Sequence, residues 1–242
     1  MKHLTMTLVI SLFFSVQAIS QTTESVQGLP SAEQVLAKYI QATGGSAAHR
    51  KLTSGVANGE GQNVTRGIRL ATENYSKAPD MRVEILDDPN NRGFTGRGYD
   101  GTDAWSMNLM ETGLRHIHGA ELAMAQREND FYRAIRLDSL YQKLVVSGED
   151  SIDVRPVVVL TAIPGNGNPE KLYFDIESGL LLRRDLAYGT TPVQHYYEDY
   201  REVDGIMLPF VLRSEGPVRL ITRFSEIKHN VPVDDGKFNA PG

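Results

Sequence analysis

Turn signals recur at short intervals between Glu170 and Lys228, and that spacing constrains the chain more than any other feature. They fall at Ser178-Gly179, Tyr188-Gly189-Thr190, Asp204-Gly205 and Gly216-Pro217. Runs of about six to nine residues rich in Leu, Tyr, Phe, Val and Ile separate them, which predicts antiparallel strands joined by tight turns. Glycine at these points supplies backbone angles that other residues reach only with strain. The stretch predicts a meander of four or five strands, on which the upstream chain packs or which it extends.

Side-chain alternation is legible inside the meander. From Val193 to Tyr200, His195, Tyr197 and Asp199 share one face, and Gln194, Tyr196, Glu198 and Tyr200 the other. From Val218 to Ile227, Val218, Leu220, Thr222 and Phe224 oppose Arg219, Ile221, Arg223 and Ser225. Neither face is purely apolar. A large twisted sheet with one covered face and one lining a semi-polar groove produces that pattern, whereas a tight two-sided sandwich core does not.

Upstream, Ser31 and Gln34 form a capping box for a helix whose Val35, Leu36, Tyr39 and Ile40 share a face. Gly44-Gly45 ends it, and Ser46 caps a short second helix through Arg50. Strands are predicted at 54–62, 65–76, 81–86, 92–99 and 104–108. Glycines 55, 59, 61 and 67 predict bulges or bends in the first pair, as in a strongly curved sheet. Residues 118–141 break the β pattern and predict two helical pieces meeting near Asn129-Asp130. Strands resume at 143–147 and 154–163, and the C-terminal HNVPVDDGKFNAPG is predicted to wrap the surface.

The chain opens on MKHLTMTLVISLFFSVQAIS. Lys2 supplies a positive n-region, Leu8 to Val16 an apolar run too short to span a bilayer comfortably, and Ala18-Ile19-Ser20 a small-x-small cleavage site. The expected organisation is a signal peptide at 1–20, a flexible tail at 21–30 and a single domain at 31–242. Loss of the leader removes Lys2 and leaves 24 basic against 30 acidic residues, a net charge of −6. That balance argues against a nucleic-acid partner. The chain has no cysteine, which removes a disulfide framework, a thiol nucleophile, a thiolate metal site and a lipidation anchor. A periplasmic or secreted protein is expected, with no transmembrane segment in the mature chain.

Three constellations bear on catalysis. His116 and His118 sit two apart, as strand ligands to a metal would, with His195 or Asp199 as a third ligand; no HExxH or comparable motif accompanies them. Glu198, Asp199, Glu202 and Asp204 could serve acid–base work in a cleft, yet such a cluster is more often a strand edge with its turn. No Gly-x-Ser-x-Gly elbow occurs. No catalytic residue, cofactor or metal is assigned.

YYEDYREVDGIMLPF (196–210), the strand after it and VPVDDGKF (231–238) resemble the LolA-like superfamily of outer-membrane lipoprotein-sorting proteins. An uncharacterised secreted bacterial branch is closer, through a helix ending in Gly-Gly (39–45), KLTS (51–54), GAELA (119–123) and KLYFD (171–175). The resemblance implies an α+β, mainly antiparallel fold: a curved half-open β-barrel with helices closing its mouth, an apolar cavity for acyl chains and no catalytic residue. Greater length, more glycine in the first strands and the Arg183-Arg184 pair depart from the lipoprotein carrier itself.

Together these readings predict a groove with helices around 31–43 and 119–136 as its lid. Leu122 and Phe131 are the lid candidates, and Trp105, Leu182, Tyr196 and Phe224 the wall candidates. A one-residue register step would turn any wall residue outward. The expected function is a non-enzymatic binder or carrier of a hydrophobic ligand, a lipid-like small molecule or an acylated protein, with a periplasmic or outer-membrane protein partner. The competing readings are an interaction module whose cavity its own side chains fill, and, behind both, a metal-dependent hydrolase.

Overall fold

The computed structural model describes residues 28–88, 94–107 and 113–241. The leader at 1–20 and most of the tail lie outside the described residues. Helix α1 (Ala32–Ala42) and the short α2 (Ser46–His49) come first. Six strands follow: β1 (Ser54–Asn63), β2 (Ile68–Lys77), β3 (Met81–Asp87), β4 (Phe94–Tyr99), β5 (Ala104–Met107) and β6 (Leu114–Ile117). Helix α3 (Gly119–Asn129), a 3-10 turn (Arg133–Ile135) and α4 (Leu137–Leu140) separate them from the second set. That set is β7 (Lys143–Ile152), β8 (Arg155–Ile163), β9 (Glu170–Asp175), β10 (Leu181–Tyr188), β11 (Thr191–Val203), β12 (Ile206–Glu215) and β13 (Leu220–His229), closed by a 3-10 turn at Asp235–Phe238.

All thirteen strands join one antiparallel sheet, ordered β6-β5-β4-β3-β2-β1-β13-β12-β11-β10-β9-β8-β7. Its two edges, β6 and β7, do not pair, so the barrel stays open, and the segment carrying α3 and α4 links one edge to the other. This is the curved, half-open arrangement expected, with the 170–228 meander realised as five strands. Asp204 and Gly205 have φ of 52° and 81°, the pair of positive values that a two-residue hairpin turn needs. Asp199 (φ 53°) takes a left-handed backbone conformation inside β11, whose register with β12 is the same on either side of it.

Helices α1 and α4 pack on the inner face of the β8–β10 region. Val35, Leu36 and Tyr39 of α1 and Leu137 and Tyr141 from the α4 region form one core with Val158, Leu160, Leu172, Phe174 and Leu181. Tyr39 meets Phe174 edge-on at 5.2 Å. Each such apolar burial stabilises by roughly 1.5–3 kcal/mol. Both hydrogen bonds of the Ser31–Gln34 capping box are present.

The outer face carries two smaller clusters: Val157, Val159, Tyr173 and Leu182, and Val83 and Trp105 under Phe238. The C-terminal segment does wrap the surface, and it also buries Phe238 completely against β3 and β5. Elements differ from expectation mainly at their ends. β2 starts at Ile68 because residues 64–67 form the turn, and β7 runs on to Ile152 past a bulge at Val146/Gly148. β6 was not among the predicted strands. Among the described residues no helix is long and apolar enough to cross a membrane.

Candidate functional site

The inner face of the sheet and its helical cover flank two adjoining hollows. The apolar one, about 310 Å³, is walled by Val56 and Ala57 of β1, Leu208, Pro209 and Leu212 of β12, and Phe224 and Ile227 of β13; Phe131 and Ala134 come from the lid. Ligand pockets begin at about 300 Å³ and are mostly apolar with a few polar groups, and this hollow meets both conditions. A bulge lets Phe224 and Ile227 share it, because Gly59 pairs with Phe224 while Asn58 pairs with Glu226. Gly59 has no alternative there: a Cβ would collide with the Arg223 carbonyl across the ladder.

The second hollow, about 460 Å³, lies towards β3–β5 under α3 and is strongly charged. Arg82, Glu84 and Arg97 point inward from β3 and β4, Glu128 comes from α3, Arg133 from the 3-10 turn, and Arg184, Tyr188 and His195 from β10 and β11. Arg82, Asn129, Tyr197 and Leu212 border both hollows, so the two adjoin.

A network of ion pairs runs from the core into this second hollow. Arg184 Nε donates to Glu170 Oε2 at 2.7 Å and Nη1 to Glu128 Oε1 at 2.9 Å. Tyr141 also donates to Glu170 Oε2 at 2.7 Å, and Arg133 Nη2 donates to the Tyr141 hydroxyl at 3.0 Å. Arg97 Nε donates to Glu84 at 2.8 Å and Nη1 to the Tyr188 hydroxyl at 3.1 Å. Burial pushes the Glu128 carboxyl up, but Arg184 and Arg97 outweigh it and hold the group down at about 2. Burial, then the neighbouring Arg97 and Arg184, depress the His195 imidazole to about 4, so it is neutral at neutral pH.

The six residues singled out from sequence fall in different places. Phe131 and Phe224 line the apolar hollow together. Trp105 borders the charged hollow, but its ring packs on the outer face, where Nε1 donates to the Phe238 carbonyl at 2.9 Å beside Val83. Leu182 packs on the outer face with Val157, Val159 and Tyr173. Tyr196 also borders the charged hollow, while its ring lies under Arg213, 3.8 Å from the guanidinium carbon, on the side opposite its neighbours His195 and Tyr197. Leu122 is half-buried on α3 and lines neither hollow.

The charged belt was missed because Arg82 and Glu84 alternate with Val83 and Ile85, a pattern that reads as a polar solvent face. Here the apolar set is the one turned outward, under the C-terminal segment. The one available signal was Arg183-Arg184, which places a cation on each side of β10. Arg183 lies over the Tyr173 ring outside, at 3.8 Å, and Arg184 is buried inside.

The acid–base constellation is spread over the surface. Glu198 pairs with Arg213, Asp199 with Arg201 and Asp204 with His229, while Glu202 is exposed. His116 and His118 flank the end of β6, at the edge of the sheet, and line neither hollow with His195. Among the described residues no group of three or more His, Cys, Asp or Glu is placed to hold a metal ion.

No family model matches the chain, and no curated protein matches it in sequence. Solved structures do match in fold. A DUF1329 family protein from Desulfovibrio piger superposes with a TM-score of 0.58 at 14% identity, covering 86% of this chain and 96% of that one. A domain from Vibrio parahaemolyticus, provisionally named an outer membrane lipoprotein-sorting protein, gives 0.58 at 13% identity over 86% and 97%. A LolA superfamily protein from Nitrosomonas europaea gives 0.56 at 13% identity over 88% and 99%. The fold is LolA-like.

Proposed function

We propose that the protein is a non-enzymatic binder or carrier of a hydrophobic, acyl-chain-bearing ligand, either a lipid-like molecule or an acylated protein. The observation that carries this reading is the apolar hollow of about 310 Å³ between the sheet and its lid, walled by Leu208, Leu212, Phe224 and Ile227 and capped by Phe131. Each methylene placed there gains about 0.8 kcal/mol of transfer free energy. A self-filled interaction module would place its own side chains in that space. The LolA-like fold supports the same reading. The leader-like run at residues 1–20 supports action in the periplasm or outside the cell.

Titration with a fatty-acyl probe tests the proposal. Saturable binding with a negative heat-capacity change, the mark of apolar burial, is the expected result. Phe131→Asp should abolish it while the circular-dichroism spectrum and cooperative unfolding persist, because Phe131 is only half-buried and caps the hollow from the lid. Wild-type protein that binds no acyl probe saturably would overturn the reading.

A further inference from the structure

The charged hollow beside the acyl-sized one has no part in the function proposed so far, and its charge balance runs against that of the molecule. The chain carries 30 acidic and 25 basic residues. Yet among the described residues the hollow is lined by five arginines (82, 97, 115, 133 and 184) against three glutamates (84, 121 and 128), with Glu170 paired to Arg184 behind them. The glutamates are all engaged: Glu84 with Arg97, Glu121 with Arg115 and Glu128 with Arg184. Arg82 and Arg133 are left with no carboxylate within ion-pair distance among the described residues. The hydrogen-bond partner of Arg133 is a neutral phenol, Tyr141, and its buried Nε has none. Arg184, 5% exposed, also has a buried Nη2 without a hydrogen-bond partner.

A buried guanidinium donor left unpaired keeps its full desolvation penalty. Arg82 and Arg133, without a carboxylate partner in a hollow where arginines outnumber glutamates, make that space complementary to an anion. The depressed imidazole of His195 reports the same positive surroundings, since Arg97 and Arg184 add to burial in opposing its protonation.

Resting on the acyl-binding reading, we propose that the ligand is an amphiphile with an anionic head. Its carboxylate or phosphate sits in the charged hollow on Arg133, with Arg82 and Arg184 alongside, and its chain passes Tyr197 and Leu212 into the apolar hollow. Tyr197 and Leu212 border both spaces and define that passage. The guanidinium fork suits both head groups, so the class is fixed by charge and not by the identity of the acid.

Three ligands of one chain length test this on the full chain: dodecanoate, dodecyl phosphate and dodecanol, by calorimetric titration. Both anions should bind at least tenfold tighter than the alcohol, and their ranking separates a carboxylate site from a phosphate site. Arg133→Gln should bring the anion-to-alcohol ratio close to one. Arg82→Gln, at a side chain with no carboxylate partner to lose, should reduce it severalfold and serves if the first variant folds poorly. Bound dodecanoate should also raise the His195 titration midpoint followed by NMR, which dodecanol should not. Equal affinity for all three ligands, or a preference that survives both substitutions, would overturn the anionic head and leave the acyl-binding reading standing. Saturable binding of none of the three would overturn both.

Discussion

Arg184 holds Glu170 at 2.7 Å, Nε to Oε2, and the carboxylate is wholly excluded from solvent. The contact joins β10 to β9, and through Nη1 the same guanidinium reaches Glu128 on α3, tying the lid to the sheet. Burial alone would drive the Glu170 proton on, yet Arg184 and the hydrogen bonds from Arg184 and Tyr141 hold its pKa below the ordinary value.

Removing one partner of such a pair strands a buried charge. Arg184→Met should therefore destabilise the protein by about 3–5 kcal/mol, and pairing it with Glu170→Met should recover much of that loss. Urea unfolding of the two single variants and the double variant measures the coupling. A double variant no more stable than Arg184→Met would show that Glu170 is not stabilised chiefly by this arginine.

His195 makes stability depend on pH in a defined window. Its folded pKa, depressed to about 4 by burial and then by Arg97 and Arg184, lies below the ordinary 6.5. Between those values the unfolded chain binds the proton and the folded protein does not. Stability is therefore complete above about pH 6.5 and is lost as pH falls towards 4, by about 2 kcal/mol after a discount for solvent screening. His49, also depressed, chiefly by burial, acts in the same direction, so the wild type must be compared with His195→Asn. The variant should lose stability less steeply between pH 6.5 and 4.5; parallel curves would refute the assignment.

The capping box of α1 offers a simpler check. Gln34 N donates to Ser31 Oγ at 3.2 Å, and Ser31 N donates to Gln34 Oε1 at 2.8 Å. Ser31→Ala removes the first of these and should cost about 1 kcal/mol. Neither residue lines a hollow, so acyl-probe affinity should not change. An unchanged melting temperature would show that the packing of Val35, Leu36 and Tyr39 alone sets the helix.

Much of the architecture was legible because it rests on local chemistry. The Asp204-Gly205 turn, the Ser31 cap and the break at Asn129-Asp130 each depend on residues within a few positions. The face of each strand was far less legible. Leu182 lines neither hollow, and Trp105 and Tyr196 border the charged one with their rings packed on the far side, because the C-terminal segment and an aromatic–arginine layer cover the outer face and make it as demanding of large side chains as the inner one. Phe224 and Phe131 reach the apolar hollow, but the bulge that brings Ile227 beside Phe224 depends on a cross-strand contact between β1 and β13, remote in sequence. The arginines of the charged hollow alternate with apolar residues as solvent-facing ones would. Their burial follows from the curl of the whole sheet, which no local pattern encodes.

Gly59 ties strand geometry to binding. It stands opposite Phe224 at the point where the β1–β13 register shifts, and an added Cβ would run into the Arg223 carbonyl and come within 2.8 Å of Phe224 Cα. Both obstacles are backbone, so relief requires the strands to part or the bulge to move. Gly59→Ala should cost about 1–3 kcal/mol, as overpacking in a well-filled site does. It should also weaken acyl-probe binding at least tenfold, because a moved bulge changes which of Phe224 and Ile227 faces the hollow. Gly165→Ala is the matched control, since its added Cβ meets nothing within 4 Å and its φ is not in the left-handed region. The decisive measurement is the probe affinity of Gly59→Ala at a temperature where the variant remains folded. Wild-type affinity there would mean that the bulge does not shape the hollow.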